Sequence, residues 1–279
     1  MSHLRREFIK ILFQKRTYIG WGGLFIVPFL IALAVRFSHA GARGAAGADT
    51  GAQIMQHLRG NGIYVPIVAL LVLSGFLLPL LAALVGSYTV AGEAENHTLR
   101  TVLMQPVKRG ALLMAKWFIA NLYVAIGLLI MGVASLIAGG AFFGLHPMQL
   151  LSASGVIGGP TVGVGHALGL TALSYLYILL GMAGVVSLAV LFSTLTNSSL
   201  TAVGAALVLV IVMLALGGFS VFDFLKPYLI TSHFDGWQNL LERPIVYGPI
   251  WKGLINFAVW IGGTTGLAYF NFRRKDILS

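Results

Sequence analysis

Charged side chains are scarce in this 279-residue chain, where they make up 9% of the residues, against about 25% in an ordinary soluble domain. No Asp, Glu, Lys or Arg occurs between Lys116 and Asp223. So few charges cannot cover the surface of a soluble fold of this length. Because 58% of the residues are hydrophobic and 35 are glycines, which are common in membrane helices, the composition predicts a polytopic membrane protein.

Cysteine is absent as well, which excludes a disulfide framework and thiol chemistry. The phosphate-loop signature G-x-x-x-x-G-K-[ST] does not occur, and neither does a Gly-Lys pair. The 7 histidines lack metal-ligand spacing with acidic residues. We therefore expect no enzyme activity, no cofactor and no metal site in this chain.

Six apolar stretches are each long enough, at about 20 residues, to form a membrane helix. We predict an all-α fold in which residues 1–279 form one transmembrane domain. The predicted spans lie at about residues 17–35, 63–90, 112–143, 167–192, 200–219 and 249–270. Residues 1–16 precede them and place Leu4, Phe8 and Ile11 on one helical face, which predicts an amphipathic helix in the membrane interface. A disordered basic tail is the alternative.

Basic residues concentrate in three polar segments of the chain. Twelve of the 18 lie before the first span, between the second and third spans or near the start of the third, or after the last span. With six spans, these segments share one side of the membrane. Since cytoplasmic loops are enriched in Lys and Arg, we predict that both termini and the loop between spans two and three are cytoplasmic. The net charge of +10 therefore reflects topology, and nucleic-acid binding is not expected.

Two loops predicted on the opposite side each allow two interpretations. Gly144–His166 is rich in glycine and uncharged, and it either stays outside or partly re-enters the membrane. Val221–Gly248 mixes aromatic residues with sparse charge. It is predicted to form short amphipathic helices at the outer interface, a depth that Trp237 and Tyr247 favour; an ordered loop without membrane contact is the alternative.

The polar insert at residues 90–116 carries the most specific signal in the sequence. It contains Gly-Glu-Ala-Glu-Asn-His-Thr-Leu-Arg at residues 92–100, Pro-Val-Lys-Arg at residues 106–109, and then Lys116. In order and spacing these residues resemble the cytoplasmic signature of the ABC type-2 permeases, the membrane subunits of ATP-binding-cassette exporters. His97 departs from the pattern, which usually has Gly there. The ending at residues 272–277 is also similar to that of the family.

The resemblance implies a mechanism and a set of functional residues. Residues 91–110 would form a coupling helix that sits in a groove of a separate ATPase subunit. Its charged side chains are expected to lie in water and to pair with that partner, which fixes the register. The alternative is a loop that is charged only because it is solvated. The coupling residues expected from the match are Glu93, Glu95, Thr98, Leu99, Arg100, Pro106 and Arg109.

The resemblance also implies partners and a location. We expect two permease chains, identical or related, with two ATP-binding subunits, surrounded by membrane lipid in a bacterial or archaeal inner membrane. A charged solute would find no countercharge in the spans, so we expect export of a lipidic, amphipathic or drug- or peptide-like substrate, along a path that the sequence does not identify. The alternatives are a secondary transporter and a non-transporting membrane partner in a cell-envelope or metalloenzyme-maturation system.

Overall fold

The computed structural model describes residues 15–37, 60–95, 109–152 and 157–274. These residues are mostly helical. Of the interfacial helix predicted at residues 1–16, residues 1–14 lie outside the described chain, and Lys15 begins the first helix. The helices are α1 (Lys15–Phe37), α2 (Tyr64–Ser74), α3 (Leu77–Tyr88), α4 (Ala91–Glu95), α5 (Arg109–Phe143), α6 (Val164–Leu195), α7 (Ser199–Gly218) and α8 (Tyr247–Arg274).

The long helices run between two ends of one bundle. The first, which we call the α4 end, contains α4, the starts of α5 and α7, and the ends of α6 and α8; here Glu95 of α4 contacts Ser199 of α7. The second, the sheet end, contains a small β-sheet and the opposite ends of these helices. Here Arg36 of α1 donates a hydrogen bond to the Phe142 carbonyl of α5 at 3.2 Å. Each predicted span therefore coincides with a helix or, in one case, a helix pair.

The second predicted span is broken into α2 and α3, whose axes bend by 59°. The break falls at Gly75 and Phe76, which separate the two helices. Pro79 explains it, because proline has no N–H to donate to the carbonyl four residues earlier, at Gly75, and its ring clashes with that carbonyl. Such kinks are usual at proline and glycine.

The prediction of six membrane spans is not confirmed. Among the described residues, 4 helices are long and apolar enough to cross a membrane, namely Tyr18–Phe37 within α1, and α5, α6 and α7; the number rises to 5 if α2 and α3 form one span. Helix α8 has 28 residues, about 42 Å of helix. It is not among these candidates, because Lys252, Asn256 and several glycines interrupt its apolar sequence.

A three-stranded sheet, absent from the sequence prediction, covers part of the sheet end. It consists of β1 (Met148–Ser152), β2 (Ile157–Val162) and β3 (Glu242–Arg243) in the order β2-β1-β3, with β1 antiparallel to β2 and parallel to β3. Two side chains before and in α2 fasten β1: the Asn61 amide donates to the His146 carbonyl at 2.7 Å, and the Tyr64 hydroxyl donates to the Gln149 carbonyl at 2.8 Å.

Between α7 and α8 the chain forms 3-10 turns at Ser220–Phe222, Lys226–Tyr228 and Thr231–Leu240. Trp237 is 1% exposed and packs in the core of the protein, so its ring does not face the surroundings, as an interfacial anchor would. Tyr247, in contrast, is exposed. The Tyr177 hydroxyl of α6 donates to the His233 carbonyl at 3.0 Å and so holds the last turn segment on the bundle.

Candidate functional site

The start of α4 is held by a serine of α6. The backbone N–H groups of Val90 and Ala91 donate to Ser193 Oγ at 3.0 and 2.8 Å, and the same hydroxyl donates to the Ser87 carbonyl at 2.8 Å. The first N–H groups of a helix have no partner within the helix. Ser193 supplies that partner from another helix and so joins α4 to α6.

Glu93 and Lys116 form an ion pair in the interior. Glu93 Oε1 lies 2.6 Å from Lys116 Nζ of α5, and the two residues are 5% and 4% exposed. Within the described part of the chain they are the charged residues that are buried. The expectation that Glu93 lies in water is therefore wrong, because Lys116 provides a countercharge inside the bundle. A buried charge is very costly unless it is paired, so this contact fixes α4 against α5.

Glu95 reaches the first turn of α7. Its Oε2 accepts the backbone N–H of Ser199 at 3.0 Å and also accepts a short hydrogen bond from the Ser199 hydroxyl. Ser198 Oγ accepts the N–H of Thr201 and completes the cap. A carboxylate at a helix N-terminus is stabilised by the helix dipole and by the unpaired N–H groups. Glu95 is exposed, so this contact, unlike that of Glu93, borders solvent.

A close approach of α3 and α6 brings Ser193 of α6 within hydrogen-bond distance of the end of α3 and the start of α4. A Cβ on Gly86 of α3 would lie 2.7 Å from Ala189 Cβ and 2.8 Å from the Val186 carbonyl oxygen of α6. Real Cβ atoms do not approach so closely, so only glycine allows the observed spacing. The contact lies one residue before Ser87, which is why Ser193 reaches both Ser87 and the start of α4.

The structure places three of the predicted coupling residues. Glu93 and Glu95 face different helices, α5 and α7. Arg109 begins α5 and is exposed. The other four predicted coupling residues lie outside the described chain; they are Thr98, Leu99, Arg100 and Pro106.

Two residues of this site, Ser193 and Ser199, were missed by sequence reasoning. Ser198 and Ser199 directly precede an apolar run, which is the usual signal for a helix start. That signal predicts the beginning of α7. It does not reveal the partner, because Glu95 and Ser199 are 104 positions apart in the chain.

Long apolar helices with exposed apolar faces, joined by a polar junction at one end, define a multi-pass helical membrane protein. A family model described as ABC-2 family transporter protein matches residues 4–277, so the chain belongs to the ABC-2 transporter family. This confirms the resemblance seen at residues 90–116. The protein is a permease component of an ABC transporter, not its nucleotide-binding subunit. No curated protein matches the chain significantly.

Proposed function

We propose that this chain is the permease subunit of an ATP-driven exporter, and that α4 and the residues up to Arg109 dock on a separate ATP-binding subunit. The attachment of α4 to α5, α6 and α7 through Glu93, Ser193 and Glu95 supports this most directly. A docking segment can move transmembrane helices only if it is attached to them. Here a displacement of α4 acts on three long helices at once.

The coupling residues then divide into two roles. Glu93 and Glu95 are positioning residues that hold α4 from inside the permease. Direct contact with the ATP-binding subunit falls to exposed Arg109 and to the segment before it. That segment includes Thr98, Leu99, Arg100 and Pro106.

Orientation and assembly follow from the same proposal. Arg109, Arg273 and Arg274 lie at the α4 end, and enrichment in basic residues favours the cytoplasmic side. The α4 end and both termini then face the cytoplasm of a bacterial or archaeal cell. Two permease chains and two ATP-binding subunits form a complex with two-fold symmetry, the commonest arrangement of oligomers.

The exported substrate is proposed to be lipidic or amphipathic, which includes drug- and peptide-like molecules. Glu93 and Lys116, the buried charged residues of the described chain, neutralise each other. A charged solute crossing the bundle would lose its hydration without gaining a countercharge. An apolar portion that follows the helices while a polar portion stays hydrated avoids that cost.

The test is reconstitution with a candidate ATP-binding-cassette protein, for which one encoded by a neighbouring gene would be the first choice. The permease alone should hydrolyse no ATP, whereas the two proteins together should form a complex of two plus two and hydrolyse ATP. Removal of the ATP-binding subunit should abolish transport into inverted vesicles. Transport driven by an ion gradient without ATP would instead support the secondary-transporter alternative.

A further inference from the structure

An apolar groove opens on the side of the bundle between α5 and α8, close to the α4 end. Its walls include Met114 and Trp117 of α5 and Tyr269 and Phe270 of α8. Its volume is about 400 Å³, within the range of roughly 300–1,000 Å³ found for ligand pockets. Phe270 is 62% exposed, so the groove opens laterally, on the surface that an embedded helix presents to lipid.

Missing side chains on α8 create this groove. Gly262 and Gly266 line it, and a Cβ placed on either would meet nothing within 4 Å. The two glycines are one helical turn apart and therefore lie on one face. The groove follows α8 over residues 261–270, about 13 Å at 1.5 Å per residue.

Arginines lie at the end of this groove. The Arg273 guanidinium sits over the ring of Tyr269, a wall residue, at 5.6 Å from the ring centroid. Arg274 follows and is exposed, as is Arg109 at the start of α5. Arg109 is close by, since the next residue, Gly110, packs directly against the Tyr269 ring. Arg109, Arg273 and Arg274 thus all belong to the helix ends next to the groove, and we call these three residues the basic cluster.

We propose that this groove is a binding site for an anionic membrane phospholipid, with an acyl chain along Gly262 and Gly266 and the phosphate at the basic cluster. Basic pockets between membrane helices bind anionic headgroups, and arginine pairs with phosphate through two parallel hydrogen bonds. This lipid is a resident of the membrane, not the exported substrate. The inference goes beyond the proposed function and requires neither ATPase docking nor a transport direction.

A second copy of the chain is the competing occupant, because Gly-x-x-x-Gly faces often pack against another helix. Charge argues against it. In a two-fold dimer each subunit presents the same patch to the other, so an interface centred on Gly262 and Gly266 would bring Arg273 and Arg274 of both chains to the same depth. An anionic lipid removes that repulsion.

The experiment places the full chain in nanodiscs of phosphatidylcholine with and without phosphatidylglycerol. Native mass spectrometry then identifies the lipids that stay bound to the protein when it is released from the nanodisc. Wild type should retain phosphatidylglycerol in preference to phosphatidylcholine. R273Q/R274Q should weaken that retention by roughly fivefold for each charge removed, whereas R273K/R274K should keep most of it. K252Q, at the exposed opposite end of α8, is the charge control and should resemble wild type.

The groove itself is tested by G262L, which fills it, and by G263L as the matched control. Gly263 is equally open but is not part of the groove wall. A phosphatidylglycerol with a photoreactive acyl chain should cross-link to peptides covering residues 109–117 and 261–274, and G262L but not G263L should abolish this. Equal retention of both lipids by wild type, lipid cross-linking unaffected by G262L, or disulfide cross-linking of G262C between two copies would each overturn the proposal.

Discussion

Glu93 Oε1 lies 2.6 Å from Lys116 Nζ inside the bundle, and the contact joins the five-residue helix α4 to the 35-residue helix α5. This pair makes α4 part of the packed structure and not an appended loop. Buried ion pairs often add little net stability compared with apolar residues of similar size, but loss of one partner leaves the other charge buried without compensation. The pair therefore fixes where α4 sits more than it strengthens the fold.

Replacement of Lys116 by methionine should destabilise the protein strongly. The substitution leaves the Glu93 carboxylate buried opposite an apolar side chain, and removal of one partner from a buried pair typically costs about 3–5 kcal/mol. The E93Q/K116M double variant should recover much of this loss, because no charge then remains buried. The free energy or midpoint of unfolding in detergent measures both. K252M, at an exposed lysine of α8, is the control; a K116M variant as stable as K252M would contradict the prediction.

Ser193→Ala should also destabilise the protein where α4 is attached to α6. It leaves the N–H groups of Val90 and Ala91 and the Ser87 carbonyl without the hydroxyl that serves all three. Loss of a partner for buried polar groups costs about 1–3 kcal/mol. Ser174 lies on the same helix and is buried, but its hydroxyl bonds only to the Leu170 carbonyl one turn earlier. S174A should therefore cost distinctly less, and equal unfolding midpoints would argue against the special role of Ser193.

Gly86→Ala should force α3 away from α6. The new Cβ would meet Ala189 Cβ at 2.7 Å and the Val186 carbonyl at 2.8 Å, and overpacking of this kind costs about 1–3 kcal/mol. Gly75 offers a matched comparison, since it has helical backbone angles and open space around it. G75A should be neutral or slightly stabilising. Similar unfolding midpoints for the two variants would mean that α3 and α6 separate at little cost.

The bundle could be predicted from sequence because its signal is local. Each apolar stretch of about 20 residues predicts a helix independently of the rest of the chain. The structure has at least one helix in every predicted span. The broken second span was missed although its cause is local, because Pro79 and Gly75 are tolerated in membrane helices. Whether they break the helix depends on whether neighbouring groups satisfy the freed backbone carbonyls, and this cannot be predicted from the sequence.

The position of the candidate site along the chain could be predicted from the sequence, but the contacts among its residues could not. The polar insert at residues 90–116 is visible because it interrupts apolar sequence. Which of its carboxylates faces inward is a tertiary property, however, and Glu93 finds Lys116 only once α4 folds back on α5. The sheet was missed for a similar reason, since β3 consists of Glu242 and Arg243 and pairs with a strand some 90 residues earlier.

Cysteine labelling should decide whether α8 is a membrane span, and the cysteine-free chain makes this simple. Y247C and R274C place exposed thiols at the two ends of α8. If α8 crosses the membrane, a membrane-impermeant maleimide should label Y247C from outside and R274C only after permeabilisation. Leu200 lies at the start of α7 and Val221 just after its end, and α7 is an apolar candidate span. V221C should therefore be labelled from outside and L200C only after permeabilisation. Labelling of Y247C and R274C from one side would contradict a sixth span.

The coupling proposal predicts different behaviour for residues that position α4 and residues that contact the partner. E95A removes the acceptor at the α7 N-terminus, whereas E95Q keeps an oxygen that can accept the Ser199 N–H. The loss of a helix cap costs about 1 kcal/mol, so E95A should weaken binding of the ATP-binding subunit by about fivefold. E95Q should weaken it less, and neither should change its salt dependence, because Glu95 acts within the permease.

R109E should behave differently, since it reverses a charge proposed to lie in the interface. Mutation of a charge at the interface rim changes the association rate and its dependence on salt. The measurement is binding of the ATP-binding subunit to the permease in nanodiscs at two ionic strengths, together with ATP hydrolysis at matched protein levels. Exposed substitutions without a role usually stay within about 0.5 kcal/mol. If the E95A and R109E permeases both bind the ATP-binding subunit as wild type does, and their complexes hydrolyse ATP at the wild-type rate, α4 and Arg109 do not couple the two subunits.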